Sequence, residues 1–329
     1  MYDLHREILV ASGVASSYSK NLSMVRIESK GLTYAAIAHK NQVNTISWDA
    51  KIEGMTNDQI LAKDPSATSG SSVKSYQVIQ AKYCHIAGRN NPVLVICTMS
   101  GAMIYEWNGS TLLHWMALPK ADRENWSYMK GISYQGDTVF IGSYTGEVHC
   151  LTIKDSTVKE KQVLKEHSSM IADLDADKDT LGAAGSDGTV VCWGSDLKSM
   201  CKISTQHAFT CVAIYKSYIF CASVMGTISA YAIKTGEIAL EIAAHVRPIN
   251  ALDVALESGL ILSASEDSFV RIWKVIKGDS VEVECVFSKA VESVPVVGGC
   301  FLDSRGQSFA LTGFDYPTIF YFNKAPKKG

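Results

Sequence analysis

AHVRPINALDVALESGLILSASEDSFVRIWKV, residues 244–275, is the stretch from which the rest of the chain can be read. Two short apolar runs, 249–256 and 260–264, flank Glu-Ser-Gly, and a tight turn from Ser265 to Ser268 leads into a third run, 269–273, built around Arg271. Runs this short, separated by turn residues, predict an antiparallel meander. Four polar side chains fall at complementary places in it. The Trp273 indole only donates, the Asp267 carboxylate only accepts, and Ser263 and neutral His245 do both. A relay Trp273 to Ser263 to His245 to Asp267 therefore leaves no member unsatisfied. A closed polar chain of this kind can stand inside a protein, where a half-satisfied one is costly.

Ser, His and Asp also spell a hydrolase triad. A nucleophilic serine needs an exposed hydroxyl, an oxyanion hole and usually a strained turn such as G-x-S-x-G. No such elbow surrounds Ser263, so the stretch is read as structural and the chain as having no catalytic residues. The pattern His245, then Ser263-Ala-Ser-Glu-Asp267, then Ile272-Trp273 resembles the WD-repeat family, with Lys274 standing where that family usually has Asp after Trp.

Further copies align on the turn into the third strand. Asp187-Gly-Thr-Val-Val-Cys-Trp193 is the clearest, with His167 upstream but Ala183 at the serine position, so His167, Asp187 and Trp193 form a partial relay. Thr145 to Leu151, Met225 to Tyr231, Ser100 to Glu106, Gln42 to Trp48 and Asp315 to Tyr321 complete the set. The final positions 48, 106, 151, 193, 231, 273 and 321 are 58, 45, 42, 38, 42 and 48 residues apart, against about 40–45 for a propeller blade of this type. The expectation is an all-β, single seven-bladed propeller over residues 1–329.

The last copy has three strands of its own, and Glu7-Ile-Leu-Val-Ala11 has no blade. Pairing residues 7–11 as the outer strand of the last blade closes the ring and hides its edges. Residues 64–72, DPSATSGSS, carry no apolar periodicity and predict a flexible surface loop between the first two blades. Residues 323–329 read as a short basic tail.

Composition narrows the function. Charged residues make up 19%, against 47% hydrophobic, and the net charge is −2. That balance argues against nucleic acid or an anionic membrane as the main partner. No run of 18 apolar residues is present, which predicts no membrane insertion. The acidic start and short apolar run do not read as a signal peptide, and nine cysteines without C-x-x-C fit reduced thiols, so a cytoplasmic protein is expected. On that reading the N-x-[ST] sequons at Asn21, Asn108 and Asn125 carry no glycan.

Three site-like groupings have simpler readings. Cys84-His85 and His149-Cys150 are adjacent on strands, where neighbours point to opposite faces, so no metal site is expected. Cys192, Cys201, Cys211 and Cys221 recur at strand-plus-turn spacing and read as small packing residues. Gly185-Ser-Asp-Gly188 is followed by a strand, whereas a phosphate loop opens a helix; no cofactor is expected. Trp107, Trp115, Trp126 and Tyr128 read as blade packing, with a protein-binding rim as the alternative.

The family resemblance, extended by Asn21-Leu-Ser, Leu32-Thr-Tyr, 244–253, 265–274 and 308–315, points to a small single-propeller branch. It implies a scaffold for protein–protein interaction with other proteins as partners. The alternative is a fixed subunit of a larger assembly such as a ciliary axoneme or trafficking complex. By the same resemblance, Tyr144, Met170, Ser186, Arg247, Asn250 and Glu266 form the candidate binding face.

Overall fold

The computed structural model describes residues 1–329 apart from 11–14, 52–53, 67–73, 120–126, 278–280, 292 and 326–329. Among the described residues, 28 strands form seven four-stranded sheets of antiparallel strands. A single 3-10 turn, Glu28–Lys30, is the sole helical element described. The sheets are the blades of one ring, and each inner strand packs against those of its neighbours.

Blades 3 to 6 carry the regions discussed below. Blade 3 holds Met129–Gln135, Thr138–Ser143, Val148–Lys154 and Thr157–Leu164, from inner to outer strand. Blade 4 holds Ile171–Ala176, Thr180–Gly185, Thr189–Gly194 and Ser199–Ser204. Blade 5 holds Phe209–Tyr215, Tyr218–Ser223, Thr227–Ala232 and Ile238–Ala243. Blade 6 holds Ile249–Ala255, Leu260–Ser265, Phe269–Lys277 and Val281–Ala290.

Second strands are buried along their whole length in blades 3, 4 and 6, because a blade is covered on both faces by its neighbours. Their sequences are accordingly apolar or small at every position rather than alternating. The core lies in layers between blades: Ala184, Val190 and Cys192 of blade 4 pack with Val212, Ile214 and Cys221 of blade 5.

Each inner strand is the edge of its sheet, so part of its backbone has no ladder partner. Side chains of the preceding blade supply the missing bonds. Ser23 Oγ accepts from the Tyr83 N–H at 2.9 Å, and Gln80 Oε1 from Gly131 at 2.9 Å. Asp173 and Asp175 accept from Val212 and Ile214, both at 2.8 Å, and Asp253 from Phe301 at 2.7 Å. The Asn250 amide donates to Val296 O at 3.1 Å.

The ring closes through the N-terminus. Tyr2–Leu9 lies antiparallel beside Thr318–Lys324 as the outer strand of blade 7. The closing strand is thus longer and begins earlier than the 7–11 read from the sequence; Ala11 is outside the described residues. Asn323 and Lys324 belong to the blade 7 strand, not to a tail, because Asp3 and Tyr2 pair with them. Residues 326–329 are outside the described residues. In the 64–72 loop, Asp64 Oδ1 accepts from the Ser66 N–H at 2.9 Å, and a Lys63–Ser75 bridge closes the base. Residues 67–72 lie outside the described residues.

All seven repeat anchors fall on third strands, but two shift by one position. A ladder irregularity immediately precedes Trp193, Tyr231 and Trp273. In blade 2, which holds Val78–Cys84, Val93–Thr98, Gly101–Glu106 and Leu112–Ala117, it precedes Tyr105, and in blade 7 Phe322. These residues, not Glu106 and Tyr321, take the Trp position. Blade 2 turns through two residues, Met99 and Ser100, which moves the register.

Candidate functional site

Relay residues converge because the loop after the outer strand of blade 5 and the hairpin turn of blade 6 emerge on the same face. The Gly226 carbonyl accepts the His245 N–H at 2.8 Å. Gly226 has φ +80°, and a Cβ there would sit 2.1 Å from the His245 carbonyl, so the seat requires glycine. Trp273 Nε1 donates to Ser263 Oγ at 2.9 Å, and Ser263 Oγ lies 2.8 Å from His245 Nε2. His245 Nδ1 is 3.0 Å from both Asp267 oxygens. Directionality follows from the two ends: Nδ1–H donates to the carboxylate, and Nε2 accepts the serine hydroxyl proton. Asp267 also accepts the N–H groups of Phe269 at 3.0 Å and Val246 at 3.2 Å.

Arg271 joins this group and was missed in the sequence. Its Nη1, a donor like His245 Nδ1–H, makes no hydrogen bond to that nitrogen and faces the Asp267 carboxylate at 3.6 Å. The signal was a lone charge in an apolar strand, at the position directly across from Ser263. Burial pushes the His245 imidazole down, Asp267 opposes that, and Arg271 reinforces it. The neutral ring that the relay needs is the outcome. Ser263 is 0% exposed and its oxygen already accepts from Trp273, so no substrate carbonyl can reach it as a hydrolase nucleophile would require.

Blade 4 shows the same frame with its link missing. Ala183 faces Val191 as Ser263 faces Arg271. Both ring nitrogens of His167 and the Trp193 Nε1 are buried without a hydrogen-bond partner among the described residues. Asp187 instead accepts the Thr189 N–H at 3.0 Å and is exposed. Restoring the hydroxyl with Ala183→Ser is expected to raise stability by about 1 kcal/mol. The check is a higher urea midpoint at unchanged slope; a lower midpoint would show that the hydroxyl does not fit.

Burial pushes His167 down to about 4. Its folded value lies below the unfolded one, so the unfolded chain binds more protons between the two. His167 therefore contributes stability above pH ~6.5 that is lost as pH falls toward ~4, by about 2–3 kcal/mol. Asp253 works in the opposite sense, since burial raises its carboxyl to about 6. Subtracting the pH–stability curve of His167→Asn from that of the wild type isolates the histidine. A parallel pair of curves would contradict this assignment.

The central channel contains a set of charges that the sequence reading did not single out. Lys20 precedes the first blade; its N–H donates to Asn250 O of blade 6 at 2.7 Å. Its Nζ crosses to Asp173 of blade 4 at 2.6 Å and to the Val212 carbonyl of blade 5 at 2.9 Å. Asn21 beside it bonds the Ala38 backbone both ways, at 2.7 and 3.0 Å, and its N–H reaches Val297 O at 3.1 Å. This short segment ties five blades together at the channel. On the opposite face, a cleft of about 720 Å³ is lined by Lys82, Tyr134, Asp175 and Asp253, among others. Its mixed charges match no single ligand class.

The six face residues do not form one group. Ser186 N–H bonds Met170 O at 2.9 Å, and Tyr144 N–H bonds Tyr128 O at 3.0 Å, while the Tyr128 hydroxyl meets the Met170 sulfur. Tyr144, Met170 and Ser186 thus sit together. Arg247 is exposed, and Glu266 is half-buried in the adjacent turn. Asn250 lies beneath the face: it is 5% exposed, and its amide donates to Val296 O between blades and, at 3.4 Å, to Glu266 Oε1. Val224, Met225 and Val246 were missed and are 39%, 72% and 89% exposed. They stand on two adjoining turns, since the Gly226 turn rests on the backbone of His245 and Arg247. Apolar residues at turn tips were the available signal.

The other groupings separate as follows. Cys84 is buried while His85 is exposed, and His149 pairs with Glu160 at 2.8 Å. No group of three metal-ligating side chains occurs among the described residues. Trp115 stacks on Tyr76 and Trp107 packs edge-on against Tyr34. Trp126 lies outside the described residues. Among those described, no helix is long and apolar enough to cross a membrane.

Comparison with known proteins agrees with this geometry. A family model described as WDR54 matches residues 1–325. The chain is 29% identical over 330 residues to WD repeat-containing protein 54 of Homo sapiens, covering 94% of this chain and 96% of that one. It is 28% identical over 343 residues to the Mus musculus protein of the same name, covering 98% and 99%. A chain of the mitotic checkpoint complex superposes with a TM-score of 0.76 at 17% identity, over 99% of this chain and 94% of that one. U3-55K gives 0.69 at 14% identity, over 96% and 100%. At such identities the structures speak for the fold alone.

Proposed function

Because the chain belongs to the WDR54 family, we propose that it is a non-catalytic scaffold that docks other proteins on the relay face. A WD-repeat propeller fits an interaction role in general. The narrower reading is an arc running from Tyr144 and Met170 through Val224, Met225 and Val246 to Arg247 and Glu266. One observation carries it: Val224, Met225 and Val246 are exposed apolar side chains on two turns that backbone bonds hold together. Exposed apolar side chains held on a rigid base lose little conformational freedom on binding. Arg247 and Glu266 border them, an arrangement in which an apolar centre carries affinity and charges at the rim select the partner.

The test compares proteins co-purified with the wild type, with Met225→Asp plus Val246→Asp, and with Leu256→Asp. Leu256 is 53% exposed on the opposite face. Partners retained by Leu256→Asp and lost from the double variant, at equal thermal stability, support the arc. Partners lost only from Leu256→Asp would move the site to the other face.

A further inference from the structure

Blade 4 holds two cysteines that face each other across its outermost ladder. Cys192 on the third strand and Cys201 on the outer strand are direct register partners. Directly opposed residues of antiparallel strands have Cα atoms about 4.5 or 5.5 Å apart. Both spacings fall within the roughly 4.4–6.8 Å that a disulfide spans. The two side chains also share a face, since opposed residues point the same way. Their surroundings differ: Cys192 is 0% exposed, whereas Cys201 is half-buried on the outer strand. The ladder is irregular immediately after the pair, where Trp193 pairs with Ser199, and such a bulge loosens the strand locally.

We propose that Cys201 and Cys192 form a reversible redox pair, with Cys201 the thiol that meets a peroxide and Cys192 the thiol that resolves it. The Cys201 thiolate attacks one oxygen of ROOH. The O–O bond breaks, RO⁻ leaves and takes up a proton as ROH, and Cys201 becomes a sulfenic acid. Cys192 sulfur then attacks Cys201 sulfur. The S–O bond breaks, hydroxide leaves with the Cys192 proton as water, and the disulfide forms. Two thiols and one peroxide give one disulfide, one ROH and one water.

Electrostatics favour this order. Contact with the Cys192 thiol lowers the Cys201 thiol below the usual cysteine range. The same contact, then burial, pushes Cys192 up. Burial also pushes up Cys211 and Cys221. Cys221 shares the apolar layer with the pair but belongs to blade 5. Cys285 is exposed and lies opposite Trp273, not a thiol, so it serves as an internal control.

The full chain is treated with hydrogen peroxide and its peptides are mapped without reduction. A Cys192–Cys201 linked peptide is expected, and reductant should reverse it. In Cys192→Ala the sulfenic acid should persist and be trapped at Cys201 by dimedone; in Cys201→Ala no link should form. One measurement needs no variant: in the untreated protein iodoacetamide should alkylate Cys201 faster than Cys192, Cys211 and Cys221, which are buried and whose thiols burial pushes up. No Cys192–Cys201 link after peroxide treatment, or a link from Cys201 to Cys221, would overturn the proposal.

Discussion

A chain lacking residues 1–9 is expected to lose cooperative folding and to aggregate, although the removed strand touches none of the candidate binding residues. Tyr2–Leu9 covers the free edge of Thr318–Lys324, and losing it exposes an unpaired strand edge, a template for association. Two anchors leave with it. Ile8 is 0% exposed within the layer that contains Trp48 and Ile319. Tyr2 packs edge-on against Phe309 and Phe287 at 5.1 and 5.3 Å. Truncating a buried Ile costs about 2–5 kcal/mol and a buried aromatic about 3–5 kcal/mol. Their sum approaches the whole stability of a typical domain, about 5–15 kcal/mol. Size exclusion and circular dichroism decide the matter: a deletion that stays monomeric and melts like the wild type would reject closure by this strand. Ile8→Ala alone should fold and unfold about 2–5 kcal/mol more easily, which keeps the test readable if the deletion cannot be purified.

Asp267→Ala carries the second large effect. It strips the acceptor from His245 Nδ1–H and from the N–H groups of Val246 and Phe269. Leaving the buried His245 donor unpaired costs about 1–3 kcal/mol, while water can take up the exposed Val246 N–H, so a loss of about 1–3 kcal/mol is expected. Trp273→Phe removes the donor at the other end. Among the described residues, hydrogen bonds through Ser263 and His245 link the two sites. If those side chains act as one unit, the double variant loses less than the sum of the singles by about 0.5 kcal/mol or more. Asp187→Ala and Trp193→Phe in blade 4 should add without coupling, since Ala183 offers no hydroxyl between them. Additive losses in blade 6, measured by urea denaturation, would show that the four side chains do not act together.

Much of the fold was legible because a propeller repeats one local pattern. Short apolar strands, Gly-containing turns and the Trp position recur in sequence order, and each blade is a meander of neighbours. Errors arose where the pattern depends on register. Tyr105 and Phe322 occupy positions that the sequence assigned to Glu106 and Tyr321, because turn length and a ladder irregularity set the phase. The relay could be read from donor and acceptor inventories alone. Arg271 could not, since the sequence does not say that the residue paired with Ser263 turns its guanidinium toward Asp267.

The sequence by itself determined the blade count, the closing strand and the identity of the relay, because these rest on local periodicity and on which atoms donate and which accept. The tertiary structure alone decided what meets across blades. Lys20 reaches Asp173 from more than a hundred residues away, Asn250 lies beneath the face and bonds Val296, and the turn of Val246 adjoins that of Met225. Ring closure sets these contacts. It places inner strands side by side, leaves their edge amides for neighbouring side chains to satisfy, and gathers loops from distant repeats on one face.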